Sequence, residues 1–404
     1  MSSRFKFLVV SMSTCLALFL LIGSVVGKGA SGDDTLKHIG VFSDVVAHIK
    51  SEYVEEPDMK SVTLGALNGL LEAIDPFASF LNAEQYRDYL KNKDVKRASV
   101  GLILSKKFGY LGVVGTVPGS PAAKAGFTTN DMIESINGIS TRDMPLAYAS
   151  LLLEGESGTT VELSVVRTRR PEPQAVKLTR ANIVLPAVES KMLAGQVGYV
   201  NIDALSANHV KDVASAIQRL QKEGAQKLVV DVRSCALGSP EDGIALANLF
   251  MNKGRITYLQ GQKVPRQNFD ADPAKAVTTL PVAVLTNRGT ADAAEIMAAA
   301  LQENKRGQLV GERTYGDAAL RKAITMDDGS AIILSVAKYY TPETNKAIQD
   351  NSVVPANVVA DTEPQVELDD NGEPLPEQPE PQQPKRLEDD PVVKKALEVL
   401  GVKA

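Results

Sequence analysis

Residues 119–138 read Gly-Ser-Pro-Ala-Ala-Lys-Ala-Gly-Phe-Thr-Thr-Asn-Asp-Met-Ile-Glu-Ser-Ile-Asn-Gly. Gly126-Phe127 and Asn137-Gly138 mark turns in this stretch, and Met132–Ile136 reads as a short strand between them. Similar β-like runs and one helix lie on either side of it: Val100–Leu104, Leu111–Val117, Val161–Val166 and the helix Ala147–Leu153. The pattern predicts a small β-rich module that begins near Ala98 and is followed by an exposed connector at Arg169–Pro173.

On the C-terminal side of this module, apolar strand-like runs alternate with helical patterns. Strands are predicted at Val197–Ile202, Leu228–Val232, Leu280–Leu285, Gln308–Val310 and Ser330–Ala337, and helices at His209–Glu223 and Asp292–Leu301. Such alternation implies βαβ crossovers and a partly parallel sheet. On the N-terminal side, residues 35–95 have helical spacing, and one helix is expected to stop before Asp75-Pro76.

The two ends of the chain differ in composition from its body. Arg4 and Lys6 precede the apolar run Phe7–Val26, which is typical of a secretion signal, although the run is also long enough to anchor the chain in a membrane. Thr362–Asp390 is rich in Pro, Glu, Gln and Asp and predicts an extended linker. Pro391–Leu400 predicts a short amphipathic helix that docks on another part of the protein.

With 404 residues the chain is too long for one ordinary core, and it carries a formal net charge of −5 and no tryptophan. Neither feature favours nucleic acid as a partner. We predict an α/β (α+β) multi-domain protein. Its predicted segments are a signal peptide or anchor at 1–27, a helical region at 35–97, the β-rich module at 98–169, a βαβ-containing core at 170–362, a linker at 363–389 and a helix at 390–404.

The β-rich module resembles a bacterial PDZ domain. Its four submotifs are Gly119-Ser120-Pro121-Ala122, Ala125-Gly126-Phe127, Asp131-Met132-Ile133 and Ile136-Asn137-Gly138, in the order of the PDZ pattern "GSPA..AG…GD.I..ING". In such domains the C-terminus of a peptide adds as a strand to a sheet edge, and backbone N–H groups hold its carboxylate. The resemblance implies that the peptide-binding residues here are Ser99, Val100, Gly101 and Leu102.

The flanking segments resemble the carboxyl-terminal processing (tail-specific) peptidases. Glu52-Tyr53-Val54 with Asp75-Pro76 is similar to their "EYVE…LDPHS", with Phe77 in place of the histidine. Tyr339-Tyr340-Thr341-Pro342, followed by Val354-Pro355, is similar to "ARYYTPSGRSIQ…GIVPD". Gly311–Gly316 resembles "GE.TFGKG", and the C-terminal helix resembles the last helix of the family. The resemblance implies a peptidase core with an inserted PDZ domain.

At the positions that correspond to the catalytic serine and lysine of that family, this sequence has aspartates. The family motif "N.GSASASEI" aligns with Asn287–Ile296 and places the nucleophile at Asp292, and the lysine of "TFGKG" aligns with Asp317. Asp292 and Asp317 are 25 residues apart, as serine and lysine are in the family. The glutamine that supports the lysine aligns with Arg321. Acyl transfer needs a nucleophile with a removable proton and a neutral base, which an ionised aspartate pair does not supply.

The oxyanion loop of the family, "DLR.NPGG", is also altered. It reads Asp231-Val232-Arg233-Ser234-Cys235-Ala236-Leu237-Gly238, so that Leu237 and Gly238 stand at the two glycines. Cys235 is the only cysteine after the leader, and we interpret it as an inert small residue. Other conceivable nucleophiles are Thr290, Ser234 and Ser239, with Lys322 and Lys338 nearby in the sequence, and none has an evident catalytic partner.

Two carboxylates at the former dyad should repel each other, so that the pKa of one rises or a cation binds between them. We hypothesise that Arg321 is that cation and pairs with Asp317 or Asp292. No cofactor and no metal site is expected, because the pair shows too few oxygen ligands for Ca²⁺ or Mg²⁺.

These observations predict an exported homologue of the processing peptidases, periplasmic or anchored outside the cytoplasm, that binds C-terminal tails through its PDZ domain and is catalytically inactive. Its expected partners are protein tails or an active paralogue, with a homo-oligomer through the N- and C-terminal helices left open. Two alternatives remain open as well. One is a working serine-type C-terminal endopeptidase that uses a non-standard catalytic group, and the other is a structural oligomerising protein.

Overall fold

The computed structural model describes residues 32–93, 97–107, 109–129, 131–142, 144–167, 170–360 and 387–402. The predicted leader lies outside this set, as does the predicted linker apart from one 3-10 turn at Leu387–Asp389. The chain divides into two units, Met1–Leu64 and Gly65–Ala404, each of which is treated by itself.

The first part of the described chain is helical, as predicted. Helix α1 spans Gly32–Glu52, α2 spans Met59–Glu72 and α3 spans Ala83–Asn92. Asn82 begins α3 by accepting hydrogen bonds from two backbone N–H groups of its first turn, at 3.0 and 3.1 Å. A short strand that the sequence did not predict, β1 at Ser79–Leu81, precedes this cap.

The β-rich module forms a sheet with the order β3-β4-β5-β8-β9, and β6 pairs with β5. The strands of this sheet are β3 (Leu102–Lys107), β4 (Tyr110–Thr116), β5 (Met132–Ile136), β6 (Ile139–Ser140), β8 (Thr160–Arg167) and β9 (Arg170–Thr179). Helices α4 (Pro121–Lys124) and α5 (Leu146–Leu153) pack with it. Strands β2 (Ala98–Ser99) and β7 (Glu154–Gly155) of the module pair with each other in a separate two-stranded sheet. The prediction of a connector at Arg169–Pro173 is wrong, because β9 starts at Arg170, which pairs with Arg167, and pairs with β8 again from Gln174 to Thr179.

The predicted α/β core is confirmed by a second sheet with the order β10-β11-β12-β15-β16-β19. Its strands are Glu189–Leu193, Val197–Asn201, Lys227–Asp231, Val282–Thr286, Gly307–Gly311 and Asn357–Val358, in that order. All neighbours are parallel except β10 and β11. The helices of this core are α6 (Ala207–Lys222), α7 (Pro240–Phe250) and α8 (Ala293–Glu303), of which α7 was not predicted.

A third sheet has the order β1-β18-β13-β14, with β17 also paired to β18. Its remaining strands are β13 (Arg255–Gln260), β14 (Gln267–Asp270), β17 (Ala319–Thr325) and β18 (Ala331–Tyr340). The hairpin β13–β14 and strand β17 were missed because exposed and half-buried side chains dominate β14 and β17, which leaves little apolar periodicity to detect.

After the short helix α9 (Ile348–Asn351), the chain ends in helix α10 (Pro391–Val399), which docks as predicted. The buried side chains of α10 (Val392, Val393, Ala396 and Leu397) join a cluster on one face of the second sheet. Within the part of the chain that the structure describes, no helix combines the length and apolar character needed to cross a bilayer.

Candidate active site

The turn that leads from β15 into α8 carries Asp292 in a strained backbone conformation. Its φ of 47° and ψ of −113° lie where non-glycine residues rarely occur. The backbone N–H of Asp292 donates to Glu295 Oε2 at 3.1 Å, which fixes the turn to the first turn of its own helix. Strained backbone of this kind occurs at functional sites where the surrounding structure over-determines it.

Glu295 is fully buried and connects the two loops of the site. Its Oε2 accepts the backbone N–H of Asp317 at 2.7 Å in addition to that of Asp292. Its Oε1 accepts the backbone N–H of Gly316 at 2.8 Å and the hydroxyl of Thr314. Burial raises the pKa of Glu295 to about 7, although the hydrogen bonds oppose the shift.

The role of Glu295 was missed in the sequence, although the signal was present. The residue lies three positions after Asp292, inside the motif that was aligned there, and at the start of a helix this spacing lets a carboxylate reach back to the preceding turn.

Asp317 and Arg321 form an ion pair. Arg321 Nη2 donates to Asp317 Oδ1, and the two side chains are only 27% and 14% exposed, respectively. The guanidinium of Arg321 also lies over the ring of Phe77, 4.2 Å from its centroid. Burial raises the pKa of Asp317, and the charge and hydrogen bond of Arg321 oppose that rise. Of the two partners hypothesised for Arg321, the structure therefore selects Asp317.

The carboxyl group of Asp292 is not paired in the same way. Burial raises its pKa well above the usual value, the charge of Asp317 raises it further, and Arg321 opposes these effects. Its Oδ1 is buried and has no hydrogen-bond partner in the structure. The repulsion expected between the carboxylates of Asp292 and Asp317 is thus present. Arg321 pairs with Asp317 and not with Asp292.

The loop predicted to correspond to the oxyanion loop packs tightly against the start of α8. Ser234 has a φ of 58°, and its N–H donates to Asn287 Oδ1 at 2.8 Å. Gly238 lies against Ala293, the residue after Asp292, and a Cβ on Gly238 would come within 2.9 Å of the Ala293 Cβ. The side chain of Leu237 is 37% exposed. The loop therefore reaches Ala293, the residue next to Asp292.

The other conceivable nucleophiles are occupied or buried. Burial raises the pKa of Cys235 to about 12, so its thiol is protonated at neutral pH. Thr290 is buried and donates its hydroxyl to the backbone oxygen of Val232 at 2.8 Å. Ser239 caps α7 and donates to Asp242 Oδ2 at 2.7 Å, and Lys338 pairs with Asp350 at 2.5 Å.

The predicted peptide-binding residues run from Ser99, the last residue of β2, through the loop Val100–Gly101 to Leu102, the first residue of β3, which lies at the edge of the first sheet among the described strands. Ser99 exchanges two backbone hydrogen bonds of 3.0 Å with Ala181, and its hydroxyl accepts the N–H of Gly101 at 3.1 Å. Val100 is completely buried, and its backbone oxygen accepts the N–H of Ala122. Gly101 has a φ of +80°, and a Cβ there would lie 2.3 Å from the Cβ of Ser120.

The module also contacts the dyad loops. The N–H of Lys106 on β3 donates to the oxygen of Pro76 at 3.0 Å, next to the Phe77 that lies under Arg321. The hydroxyls of Ser105 and Tyr315 share a hydrogen bond. Val114 on β4 packs in one apolar cluster with Ala236 and Ala291. The edge strand β3 and the loops that carry Asp292 and Asp317 are therefore neighbours in the structure.

Comparisons with known proteins agree with this arrangement. The model of the peptidase family S41 matches residues 196–359, and that of a PDZ domain matches residues 112–167. The chain is 32% identical over 339 residues to the carboxy-terminal processing protease CtpA of Bacillus subtilis (strain 168). The match covers 82% of this chain and 71% of that protein. The chain is 33% identical over 319 residues to the carboxyl-terminal-processing protease of Synechocystis sp. (strain ATCC 27184 / PCC 6803 / Kazusa), with coverage of 77% and 74%.

A solved structure titled photosystem II D1 C-terminal processing protease is similar in fold. The TM-score is 0.65 at 25% identity, and the match covers 79% of this chain and 92% of that one. The predicted mixed α/β fold with a peptidase core and a PDZ domain is therefore confirmed. On these grounds the chain belongs to the carboxyl-terminal processing protease family of S41 peptidases, with a PDZ domain.

Proposed function

We propose that this protein is an exported pseudoprotease that binds the C-terminal tails of other proteins and does not cut them. The observation that carries the proposal is the ion pair between Asp317 and Arg321 at the position of the family's general base. An aspartate held by an arginine has no free amine to take a proton from a nucleophile. Asp292, at the nucleophile position, has no hydroxyl to activate.

The arrangement gives no support to a working peptidase with another nucleophile. The thiol of Cys235 and the hydroxyl of Thr290 are both buried; burial keeps the thiol protonated, and the hydroxyl donates to the backbone oxygen of Val232. Ser234 is exposed, but its hydroxyl is next to the amide of Asn287, at 3.3 Å, and an amide is not a base.

Tail binding is supported by the edge strand β3 and by the glycine at its start. Addition of a peptide strand requires unpaired backbone groups along a sheet edge, and among the strands that the structure describes β3 pairs only with β4 in its sheet. Gly101 and Ser120 meet so closely that any larger residue at 101 would disturb the loop. The carboxylate of a bound tail would lie at Ser99–Leu102.

A self-association surface is supported on α1 and not on α10. Apolar side chains recur along α1 at helical spacing and are exposed in the structure: Leu36 by 68%, Ile39 by 58%, Phe42 by 45% and Val45 by 51%. The apolar face of α10 is instead buried on the chain's own sheet. We therefore restrict the proposed contact with a second copy or an active paralogue to α1. Export rests on the leader at residues 1–27.

The experiment compares cleavage of an unstructured substrate with an apolar C-terminus by the mature protein and by two variants. One variant is D292S/D317K, and the other adds R321Q, because Arg321 would repel a lysine at 317. We expect no cleavage by the natural protein and cleavage by the triple variant. Cleavage by the natural protein would overturn the proposal. If neither variant cleaves the substrate, the loop around Leu237 would be the next part of the site to restore.

Tail binding is tested separately with a labelled tail peptide that has a free C-terminal carboxylate and with its amidated form. We expect binding of the free form only, because the proposed loop holds the carboxylate. No binding of either form would favour the structural oligomerising protein. The mass of the assembly would then be measured for the natural protein and for a variant in which Ile39 and Phe42 of α1 are replaced by polar residues.

A further inference from the structure

The backbone groups of β3 point alternately toward β4 and toward the edge of the sheet, as in any antiparallel strand. Gly101, directly before β3, faces the β4 side, since its oxygen accepts the N–H of Val117 at 2.8 Å. The one irregularity in the pairing places the extra residue in β4 and leaves β3 regular. The alternation therefore turns the backbone groups of Leu102, Leu104 and Lys106 toward the edge, where a bound tail would pair.

The third of these edge positions is already occupied by the chain itself. The N–H of Lys106 donates to the backbone oxygen of Pro76 at 3.0 Å, on the side of β3 that faces away from β4. Leu102 and Leu104 make no comparable backbone bond to a described residue outside the sheet. Strand β3 therefore offers a tail two backbone positions and not three.

Residues 75–79, which include Pro76, are attached to both sides of the tail site. Helix α5 packs beside β3. Pro145, before α5, provides no side-chain cap, and the N–H of Ala147 in the first turn donates instead to Ser79 Oγ at 3.1 Å. Ser79 is only 1% exposed, so water does not compete for this bond. One short segment thus holds the end of β3 and the start of α5.

The same segment is fixed from below by a buried carboxylate. Asp75 is 2% exposed, and its Oδ1 accepts the N–H of Phe77 at 3.0 Å. The carboxylate also accepts the N–H of Ser335 at 3.0 Å and the side-chain amide of Gln349 at 3.1 Å. A tail that displaced Pro76 would disturb these bonds and leave a buried carboxylate short of donors, which is unfavourable.

We propose that Pro76 forms the end wall of the tail site, so that β3 pairs with the last four residues of a tail and with none before them. With the carboxylate held at Ser99–Leu102, the last residue lies opposite Leu102 and the third from the end opposite Leu104. The fifth from the end would lie opposite Lys106, where Pro76 is bound. The pairing limit rests on the tail binding proposed above, and the contact between Pro76 and Lys106 does not.

The end wall is tested first in the protein without peptide, by hydrogen exchange measured at single amides with NMR. We expect the amide of Lys106 to exchange about tenfold more slowly than those of Leu102 and Leu104, because of its bond to Pro76. A tail peptide should then slow exchange at Leu102 and Leu104 and leave Lys106 unchanged. Exchange at Lys106 that is as fast as at Leu104 in the free protein overturns the end wall.

The pairing limit is tested with eight-residue tails in which one backbone amide at a time is replaced by an ester, which removes the N–H donor. Replacement at the last or the third residue from the end should weaken binding about fivefold, as expected for the loss of one hydrogen bond. Replacement at the fifth should have no effect, like replacement at the fourth, whose N–H points away from β3. A four-residue tail should bind as tightly as the eight-residue tail. An equal loss at the third and fifth residues overturns the limit.

Asp75→Asn attributes the limit to Pro76, because it weakens the contacts that hold residues 75–79. We expect faster exchange at Lys106 and about fivefold tighter binding of the eight-residue tail than of the four-residue tail. Asp88→Asn, which changes an exposed carboxylate on α3, should behave like the natural protein. If Lys106 exchanges faster in D75N while both tails still bind equally, Pro76 is not what limits the pairing.

The two proposals fail in different ways. If no tail binds and Lys106 exchanges slowly in the free protein, tail binding is wrong and the contact between Pro76 and Lys106 stands. If tails bind and esters at the third and fifth residues weaken binding equally, tail binding stands and the end wall is wrong.

Discussion

At the scale of single residues, the strained turn at Asp292 is held by backbone contacts and not by its side chain. Its positive φ is held by the hydrogen bond from its own N–H to Glu295, which involves no side-chain atom of Asp292. The turn is therefore maintained by a buried carboxylate that serves the Gly316–Asp317 loop as well. The hydrogen bond that holds this turn does not depend on which side chain stands at position 292.

Arg321→Gln tests what the ion pair contributes. We expect it to lower the free energy of unfolding by about 2 kcal/mol at pH 8, because the half-buried carboxylate of Asp317 loses its charged donor. Burial already raises the pKa of Asp317, and removal of the arginine leaves that rise unopposed. A carboxyl with a raised pKa binds its proton more tightly in the folded state, so its ionisation at higher pH destabilises the fold.

The cost of R321Q should therefore be larger at pH 8 than at pH 5, which urea unfolding at both values will measure. The matched control is Arg288→Gln, which removes an exposed arginine from the looser pair with Glu312, at 3.6 Å and 61% exposure. That pair should contribute little at either pH. If the two substitutions have equal effects, or if R321Q costs less at pH 8 than at pH 5, the ion pair between Arg321 and Asp317 does not stabilise the fold as proposed.

At the scale of elements, the sequence revealed those parts of the fold that have strong local signals. The turns at Gly126 and Asn137, the buried strands of the parallel sheet and the alanine-rich α8 were predictable because glycine φ values and apolar runs are local properties. The hairpin β13–β14 and strand β17 were not, because exposed and half-buried side chains dominate β14 and β17 and leave little apolar periodicity, although each strand pairs with a neighbour in the sequence. Motif spacing is also a local property and singled out Asp292 and Asp317, while the choice of the Arg321 partner depends on side-chain geometry and required the structure.

The loop before β3 gives a prediction at this scale. Gly101→Ala should weaken binding of a tail peptide by more than tenfold, because the new Cβ would come within 2.3 Å of the Ser120 Cβ and move the carboxylate loop. The measurement is fluorescence anisotropy of a labelled tail.

Gly119→Ala is the matched control for that substitution. Gly119 has a φ of +75°, close to the +80° of Gly101, but no atom lies within 4 Å of its Cβ position. Gly119→Ala should therefore cost about 1 kcal/mol through its positive φ, without a steric overlap. If both alanines weaken tail binding equally, the backbone angle and not the close approach to Ser120 decides the shape of the loop.

At the scale of the whole chain, the last helix is linked to the loop Ser234–Gly238, which the sequence predicts to correspond to the oxyanion loop. Arg233, directly before Ser234, binds Asp231 and also Asp390 at 2.7 Å each. Asp390 in turn accepts the N–H of Val392 at 2.8 Å and so begins α10. The hydroxyl of Tyr199 donates to Asp231 at 2.8 Å, which extends this polar network into the sheet.

Removal of residues 387–404 should therefore affect the sheet beneath α10 and the loop after Arg233 together. Burial of the four apolar side chains Val392, Val393, Ala396 and Leu397 contributes about 5 kcal/mol, so their loss exposes the underlying strands β15 and β16. Hydrogen exchange followed by mass spectrometry should show faster exchange in both strands and in the segment 234–238. Lys395→Ala, which alters an exposed ion pair with Glu398 on the same helix, should leave exchange unchanged. Faster exchange in the strands alone would mean that Arg233 keeps its loop in place through Asp231 without help from the C-terminal helix.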